Sequence, residues 1–349
     1  MKKYIYQFAI CSIAILLPLA CSDKDDAQPN QSEKEKYFFT DDFESGDHSK
    51  TENGFIWSGN NVTVDKTPNG SMGLKYTFGP NAIEEDSWQE QRFHFGGDYG
   101  EFWLKYELYI PDNFHHRCPV ALKLAQMDPE LKIGDTIIKV KNDGGTYSVP
   151  DEEDWGIIKH IKGDTIMVDQ LPNYLTLLDN NEFKSKRTGQ ISKVSKRLGY
   201  GNNNKFFLVW QGDYGSNSSG NSISFESWYK NRGSSCLSYY PSKDHGDWRA
   251  GHTISENYII DKNQDLGKWM EVIFHVKVAS PANNDGIIQV WKNGQEYINV
   301  NNLPNYSQKG FNYYQYGYLL GWANSGFDEE TIMYIDNVIF STDKISSSR

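Results

Sequence analysis

Short runs of alternating apolar and polar residues recur along most of this chain, separated by glycine, asparagine and aspartate. Runs of this kind predict β-strands joined by tight turns. In "WMEVIFHVKV", every second side chain is apolar and falls on one face, namely Met270, Val272, Phe274, Val276 and Val278. Almost no segment shows the 3.6-residue period of an amphipathic helix. The chain is therefore predicted to be all-β, as a two-sheet sandwich or jelly roll.

One segment, residues 127–197, departs from this pattern. Its aromatic residues are sparse, and it contains two similar runs, "IGDTII" and "KGDTIM". These runs predict two hairpins of one small β-barrel, inserted between sandwich residues 37–126 and 198–349. The insert ends in the basic stretch "KSKRTGQISKVSKRLG", although the net charge of the chain is −11. This stretch is either a solvated surface or one wall of a groove for an anionic substrate.

The first 20 residues predict an export signal, because two lysines precede an apolar run that is too short for a stable membrane span. The run ends in "LLPLAC", which resembles the lipobox of bacterial lipoproteins and implies a lipid on Cys21. An ordinary secretory signal is the alternative. Residues 21–36 are polar and acidic, which predicts a flexible tether. Their start, "CSDKDD", resembles the export tag of Bacteroidetes-type surface lipoproteins and implies an outer-membrane lipoprotein exposed at the cell surface.

The composition limits the partners of the chain. The acidic net charge argues against nucleic acid as the main partner, whereas an anionic polysaccharide needs only a local basic groove. Aromatic residues make up 14% of the chain, which is typical both of β-sheet surfaces and of platforms that stack on sugars. Two cysteines remain beyond Cys21, and Cys118 and Cys236 could form a disulfide in an oxidising compartment.

The stretch "DSWQEQRFHF", residues 86–95, predicts a strand that does more than pack a core. In an extended strand every second side chain points to the same side, so Trp88, Glu90, Arg92 and His94 share one face. A face with carboxylate, guanidinium and imidazole groups is either a surface charge pattern or part of a ligand-binding face.

The order of several segments resembles that of jelly-roll polysaccharide lyases, the concanavalin-A-like group that includes alginate lyases and heparin-lyase-I-type proteins. The segments are "DDFESG", "QEQRFHF", "GEFWLKYELYIP", "NNKFFLVWQ", "GKWMEVIFHVK" with "DGIIQVWKNGQ", and "YGYLLGWANSG" with "YIDNVIFS". The resemblance covers residues 38–126 and 198–342. It implies a concanavalin-A-like jelly roll and an enzyme that cleaves a uronic-acid-containing polysaccharide by β-elimination. Together with the export tag, this predicts cleavage at the cell surface.

Two other functions fit the same fold. The first is a carbohydrate-binding surface lipoprotein without catalysis. The second is a glycoside hydrolase, which is disfavoured because the chain has no Glu-x-Asp-x-x-Glu strand of the laminarinase-like kind. A lyase differs from a binding module in needing a carboxylate neutraliser, a base and an acid that converge on one point.

The first lyase signature lies in the stretch that predicts a ligand-binding face. "WQEQR" resembles the Arg-x-Glu-x-Arg strand of alginate lyases, with Glu90 and Arg92 retained and Trp88 in place of the first Arg. The resemblance implies that Arg92 neutralises the uronate carboxylate, with Gln211 of "LVWQGDYG" as a helper and His94 as a base. Gln211 is the nearest match to the Gln-x-His strand of these enzymes.

The other signature lies near the end of the chain. "YYQYGYLLG" resembles the Tyr-Phe-Lys-x-Gly-x-Tyr strand of the same lyases and keeps its first tyrosine, Tyr313. Gln315 and Leu319 replace the lysine and the catalytic tyrosine. The resemblance therefore implies that Tyr316 or Tyr318 supplies the acid/base group.

The remaining candidates bind substrate or metal. No cofactor is expected to be required for the lyase reaction. Acids in "TDDFESG" and "YIDNV" are expected on adjoining strands, either as a structural calcium site or as plain turn and edge acids, and they are Asp41, Asp42, Glu44 and Asp336. The candidate substrate-binding residues are Trp88, Glu90, Lys205, Trp228, Tyr313 and Trp322.

Overall fold

The computed structural model describes residues 37–82, 85–115, 120–140, 154–168, 182–198, 203–212, 214, 221–231, 234–242, 253–255, 257–307, 309–310, 312–324 and 326–348. The predicted signal, the tether and Cys118 lie outside these ranges, so the expected disulfide lies outside the described residues as well. No helix in the described parts of the chain has the length and apolar character needed to cross a membrane.

The described residues form 21 strands and no α-helix. In chain order they are β1 Phe39–Asp41, β2 Ile56–Asn60, β3 Thr63–Lys66, β4 Met72–Phe78, β5 Ser87–Tyr99, β6 Glu101–Ile110, β7 Val120–Gln126, β8 Thr136–Lys139, β9 Asp154–Lys162, β10 Thr165–Val168, β11 Glu182–Ser185, β12 Ile191–Leu198, β13 Asn203–Trp210, β14 Ser222–Asn231, β15 Ser234–Ser242, β16 Thr253–Ile254, β17 Lys268–Lys277, β18 Gly286–Lys292, β19 Gln295–Leu303, β20 Tyr314–Ala323 and β21 Thr331–Ser341.

Two antiparallel sheets form the sandwich. The first has the order β19-β18-β17-β6-β21-β4-β3, with β1 paired to β21, and the second has the order β16-β15-β14-β13-β20-β5-β2. The side chains that the two sheets turn toward each other form one core rich in phenylalanine, for example Phe93, Phe207, Phe225, Phe274 and Phe340. This architecture confirms the predicted all-β jelly roll.

The buried row predicted in β17 is confirmed, since Met270, Val272, Phe274 and Val276 belong to the sandwich core. The opposite side of β17 is buried as well. Ile273 packs with Trp103 of β6 and with Ile345, which belongs to the segment after the last strand. The C-terminal segment therefore covers part of the outer face of the first sheet.

A buried ion pair fastens this C-terminal segment to the sheet. Glu271 of β17 is fully buried and lies 2.7 Å from the Lys105 ammonium. Ser347 and Ser348 donate their hydroxyl groups to the same carboxylate. Burial alone would raise the pKa of Glu271, but these hydrogen bonds and Lys105 lower it to about 2. The carboxylate is therefore ionised at neutral pH.

We expect Glu271→Gln to lower the free energy of unfolding by about 3 kcal/mol at pH 7, because it leaves Lys105 buried without its counter-charge. Since the folded-state pKa lies below that of the unfolded chain, this stability is present above pH 4.5 and is lost as pH falls toward 2. Urea unfolding at pH 7 and at pH 3.5 measures both effects. Glu296→Gln, at an exposed position of β19, is the control, and equal stability of the two variants at pH 7 would contradict the prediction.

The inserted barrel is also confirmed. Six strands close in the order β10-β7-β12-β11-β8-β9 around a small apolar core that includes Leu122, Leu124, Ile158 and Phe183. Leu122 and Leu124 show why β7 is a barrel strand: their side chains fill this core. The barrel therefore begins at Val120, ahead of the expected boundary at residue 127.

The basic stretch lies on two barrel strands, β11 and β12, and on the turn between them. The Arg187 guanidinium in this turn donates to Asp135 at 2.7 Å and holds the pKa of that carboxyl below its usual range. The barrel contacts the sandwich at His160 of β9, whose Nε2 lies 4.0 Å from Asp328 Oδ1. Asp328 belongs to the loop that follows β20.

Candidate active site

The outward-facing side of the second sheet carries most of the predicted site residues, and we call it the site face. Strand register arranges its side chains in rows that run across β5, β20, β13 and β14. In one row, Arg92 of β5 is paired with Tyr318 of β20, Tyr318 with Leu208 of β13, and Leu208 with Ser224 of β14. In the next row His94 lies opposite Tyr316, which is followed by Trp210 and Ser222.

Arg92 is the central cation of β5 and is held by Glu90, two residues away on the same face. Its Nε donates to Glu90 Oε1, and the Glu90 side chain is almost fully buried. The guanidinium also lies 5.7 Å from the centre of the Tyr214 ring. The described contacts of Arg92 use its Nε and the face of its guanidinium that lies over Tyr214. Its two terminal nitrogens can therefore donate to a ligand.

A bulge in β2 lies beside Arg92. The register of β2 against β5 shifts between Trp57 and Asn60, and Gly59 within the shift has a φ of +52°. A Cβ built on Gly59 would lie 3.5 Å from Arg92 Cδ. Asn61 then continues the pairing with its side chain, since its Oδ1 accepts from the Glu90 amide at 2.7 Å. The bulge thus packs beside Arg92, and the residue after it fixes the backbone of the partner Glu90.

Two tyrosines of β20 share the site face but differ in exposure. Tyr318 is almost fully buried, and burial, together with Tyr214 and Glu90, raises the pKa of its hydroxyl well above the usual value. Tyr316 is half-buried between two rings: it meets His94 edge-on at 4.7 Å between ring centres and stacks on Trp210 at 5.8 Å. Tyr318 therefore keeps its proton, and Tyr316 is the more accessible of the two.

His94 is oriented by a backbone contact. Its Nδ1 accepts from the Gly96 amide at 2.9 Å, so the neutral ring carries its proton on Nε2 and acts there as a donor. Gly96 has a φ of +82°, and a Cβ on it would lie 2.2 Å from the Gly54 carbonyl carbon. Only glycine permits this close approach of β5 to the turn that precedes β2, which holds the amide against the ring.

Lys205 of β13 is the second cation of the site face. Its ammonium pairs with Glu226 of β14, and the same carboxylate accepts from Ser224 at 2.9 Å and from Asn203. Burial lowers the pKa of Lys205 to about 8. A Cβ on Gly321 would lie 3.1 Å from Lys205 Cβ and 2.7 Å from the Tyr318 ring, so Lys205 and Tyr318 are neighbours.

Three tryptophans lie toward the end of the site face where β5 begins. Trp88 and Trp322 are opposite each other on β5 and β20, and both are exposed. Trp228 of β14 is half-buried beside Tyr240. Tyr313, by contrast, lies at the opposite end, just before β20, and is half-buried.

The structure does not bring Gln211 to the site face. Gln211 follows the last residue of β13 and is fully buried. Its Oε1 accepts from the Asn221 amide at 2.8 Å, and Asn221 in turn donates to the Asn305 carbonyl. These contacts give Gln211 a structural role at the end of the β13–β14 connection.

The four acids expected at a calcium site are not gathered either. Asp41 accepts from the Phe43 amide at 2.9 Å and from the Trp57 indole at 2.8 Å. Asp336 accepts from the Ser71 hydroxyl at 3.0 Å. Among the residues that the structure describes, no group of three or more His, Cys, Asp or Glu side chains could hold a metal ion.

Three members of the site face were missed in the sequence. Glu226 could have been found, because in "SISFESWYK" it falls on the same strand face as Trp228. Tyr214 follows the end of β13, where alternation no longer assigns a face. Asp86, whose Oδ2 accepts from the Trp322 indole at 2.7 Å, becomes visible only through the pairing of β5 with β20.

Comparisons with known proteins agree with the resemblance seen in the sequence. Residues 182–339 match the family model described as Polysaccharide lyase. No curated protein matches the chain. Among solved structures, alginate lyase vAL-1 from Chlorella virus is similar at 11% identity and a TM-score of 0.46, covering 87% of this chain and 99% of that one.

Two further solved structures are similar to the chain. The endo-β-1,4-glucuronan lyase from the fungus Trichoderma reesei is 13% identical with a TM-score of 0.35, covering 88% of this chain and 96% of that one. The PL-14 alginate lyase from Aplysia kurodai is 10% identical with a TM-score of 0.39, covering 80% and 86%. The family match over residues 182–339 confirms that this chain resembles the jelly-roll polysaccharide lyases.

Proposed function

We propose that this protein is a polysaccharide lyase that cleaves a uronic-acid-containing chain by β-elimination on the site face. The observation that carries the proposal is the row in which Arg92, held by Glu90, lies beside the protonated Tyr318, with Tyr316 and His94 in the adjoining row. A neutraliser and two proton-transfer groups are the set that this reaction requires. The family match over residues 182–339 supports the same reaction class.

Arg92 binds the substrate carboxylate through its terminal nitrogens. Removing the proton at C5 moves negative charge onto that carboxylate, and charge-assisted hydrogen bonds strengthen as the charge develops. His94 assists through its Nε2–H, because Nδ1 is occupied by the Gly96 amide. His94 therefore acts as a donor in this scheme, and the base is another group.

Tyr316, as its phenolate, removes the C5 proton. The C5–H electrons form the C4=C5 double bond, and the bond from C4 to the linking oxygen breaks. Tyr318 gives a proton to that oxygen, since its raised pKa keeps the hydroxyl protonated. The products are a chain with a new reducing end and a chain that ends in an unsaturated uronate.

Absorbance in the unsaturated-uronate band tests the proposal directly. Purified protein is mixed with alginate, glucuronan, ulvan, heparin-type and pectic chains. A steady rise with at least one polymer is expected. A flat trace with every polymer, combined with retarded migration of the protein in a gel that contains one of them, would instead favour the binding-protein alternative.

Loss of the Lys205 proton near pH 8 removes one cation of the site face, and we expect it to limit activity on the alkaline side, where a phenolate base alone would give a rise. Lys205→Arg keeps the charge at all these pH values, so its alkaline limb should move to higher pH. Initial rates from pH 6 to 10 provide the measurement, and melting temperatures show whether the variant is folded. An unchanged alkaline limb in Lys205→Arg would assign the limb to another group.

We also propose the location that the leader implies. The lipobox-like "LLPLAC" and the acidic tether support a lipoprotein anchored through Cys21 to the outer membrane and exposed at the cell surface. Metabolic labelling with a fatty acid, compared between the protein and Cys21→Ala, tests the lipid. Protease treatment of intact cells tests the exposure.

A further inference from the structure

The Trp88–Trp322 pair is an exposed aromatic surface at one end of the site face. The two side chains are 46% and 44% exposed, their ring centres are 6.2 Å apart, and their planes are inclined by 34°. Large apolar side chains that are exposed together mark a binding surface. Trp rings stack on the faces of sugars, where the C–H groups are apolar.

The pair is held in place by its neighbours. Trp322 Nε1 donates to Asp86 Oδ2 at 2.7 Å, and Asn61 Nδ2 donates to the Trp88 carbonyl at 2.7 Å. The Trp322 indole N–H is therefore occupied by Asp86, so this ring offers its face to a ligand rather than a hydrogen-bond donor.

The loops that flank the pair carry acids, and Lys205, the cation on the neighbouring strand β13, is already paired with Glu226. Asp86 is exposed and lies in contact with Trp322. The loop that ends at Asp86 is joined to the loop after β20, since the Asn81 amide donates to the Phe327 carbonyl at 2.8 Å. Each of the two loops also carries exposed acids, namely Glu85 before β5 and Asp328 and Glu329 after β20. A carboxylate placed over the tryptophans would be repelled.

The charge changes along β5. Trp88 and Arg92 are four residues apart on the same face, a separation of about 13 Å along an extended strand. Arg92 attracts a uronate at its position, whereas Asp86 disfavours one at the tryptophans. A polymer with a carboxylate on every sugar would place a carboxylate beside Asp86. A polymer with uncharged sugars between its uronates can place an uncharged sugar there instead.

We propose that the Trp88–Trp322 pair is a subsite for an uncharged sugar, and that the substrate is a heteropolysaccharide in which neutral sugars separate the uronates. This inference rests on the proposed lyase function. It goes beyond that function by naming the class of polymer and the residues that select it.

Rates on two groups of probes test the polymer class. Hyaluronan and unsulfated chondroitin alternate a uronate with a neutral N-acetylhexosamine, whereas alginate and β-1,4-glucuronan carry a carboxylate on every sugar. We expect kcat/KM to be at least about tenfold higher on an alternating probe. A higher value on alginate or glucuronan would overturn the proposal.

Asp86→Asn tests the charge alone, because an amide oxygen can still accept from the Trp322 indole. We expect Asp86→Asn to lower KM for alginate or glucuronan about threefold relative to KM for the alternating probe. Glu296→Gln removes one charge from an exposed position of the first sheet and is the matched control. Equal changes on both groups of probes, or none on either, would contradict a charge-selective subsite.

A binding measurement separates this inference from the lyase proposal. If no probe gives an absorbance rise, the lyase function fails, and electrophoresis through gels that contain each probe still decides the subsite. Retardation by hyaluronan or chondroitin that is lost in Trp322→Ala supports it. Retardation by alginate or glucuronan alone, no retardation by any probe, or an unchanged Trp322→Ala overturns it, and melting temperatures confirm that the variant is folded.

Discussion

Tyr316→Phe is expected to lower kcat by about 10²–10⁴-fold, because the variant loses the only oxygen that this side chain can use to accept the C5 proton. The ring contacts with His94 and Trp210 are retained by phenylalanine, so the site face keeps its shape. KM should change little, since proton abstraction belongs to the transition state rather than to substrate binding. Absorbance rates over a range of polymer concentrations give both constants.

Two variants make the Tyr316 result interpretable. Tyr334→Phe changes a half-buried tyrosine of the first sheet and should leave kcat unaltered. His94→Ala should lower activity less than Tyr316→Phe, because His94 is assigned as a donor. If His94→Ala abolishes turnover while Tyr316→Phe remains active, the histidine is the base.

Arg92→Ala is expected to lower kcat/KM by about 10²–10³-fold, the usual cost of removing one donor to a developing oxyanion. Much of the loss should appear in kcat, because the carboxylate gains charge as the C5 proton leaves. Arg92→Lys should recover part of the activity, since an ammonium keeps the charge but not the two parallel donors. Lys123→Ala removes an exposed barrel cation and is the control.

The partner of Arg92 gives a second test of the same group. Glu90→Gln removes the charge that holds Nε, and Gly59→Val fills the space beside Arg92 Cδ. Both should reduce activity by misplacing the guanidinium without removing it. A loss confined to KM in Arg92→Ala would make Arg92 a ground-state binding residue, which is the role that it would have in a binding protein.

Alternation in extended strands explains what the sequence predicted well. Trp88, Glu90, Arg92 and His94 share the site face because β5 keeps its two-residue period over this stretch. The same rule puts Tyr316 and Tyr318 together on β20. The fold followed from the same periodicity, together with the order of segments.

Irregular backbone explains most of what the sequence could not predict. Gln211 lies beyond the end of β13, where the two-residue period no longer applies. In β20 the chain bulges at Leu320, whose φ is +50°, so Leu319 and Leu320 both enter the core. Contacts between residues far apart in the sequence could not be predicted either, because no local pattern places Glu226 beside Lys205 or Asp86 beside Trp322.

The covered outer face of the first sheet also bears on how the protein would stand on a membrane. Tyr37, the first residue that the structure describes, packs there with Trp103 and Ile345, on the side of the sandwich opposite the site face. The tether to a lipid on Cys21 would therefore join the sandwich on the side opposite the site face. The residues from Cys21 to Tyr37 reach at most about 55 Å when fully extended. If the proposed lipid is attached to Cys21, a tether that joins the sandwich on this side allows the site face to point away from the membrane.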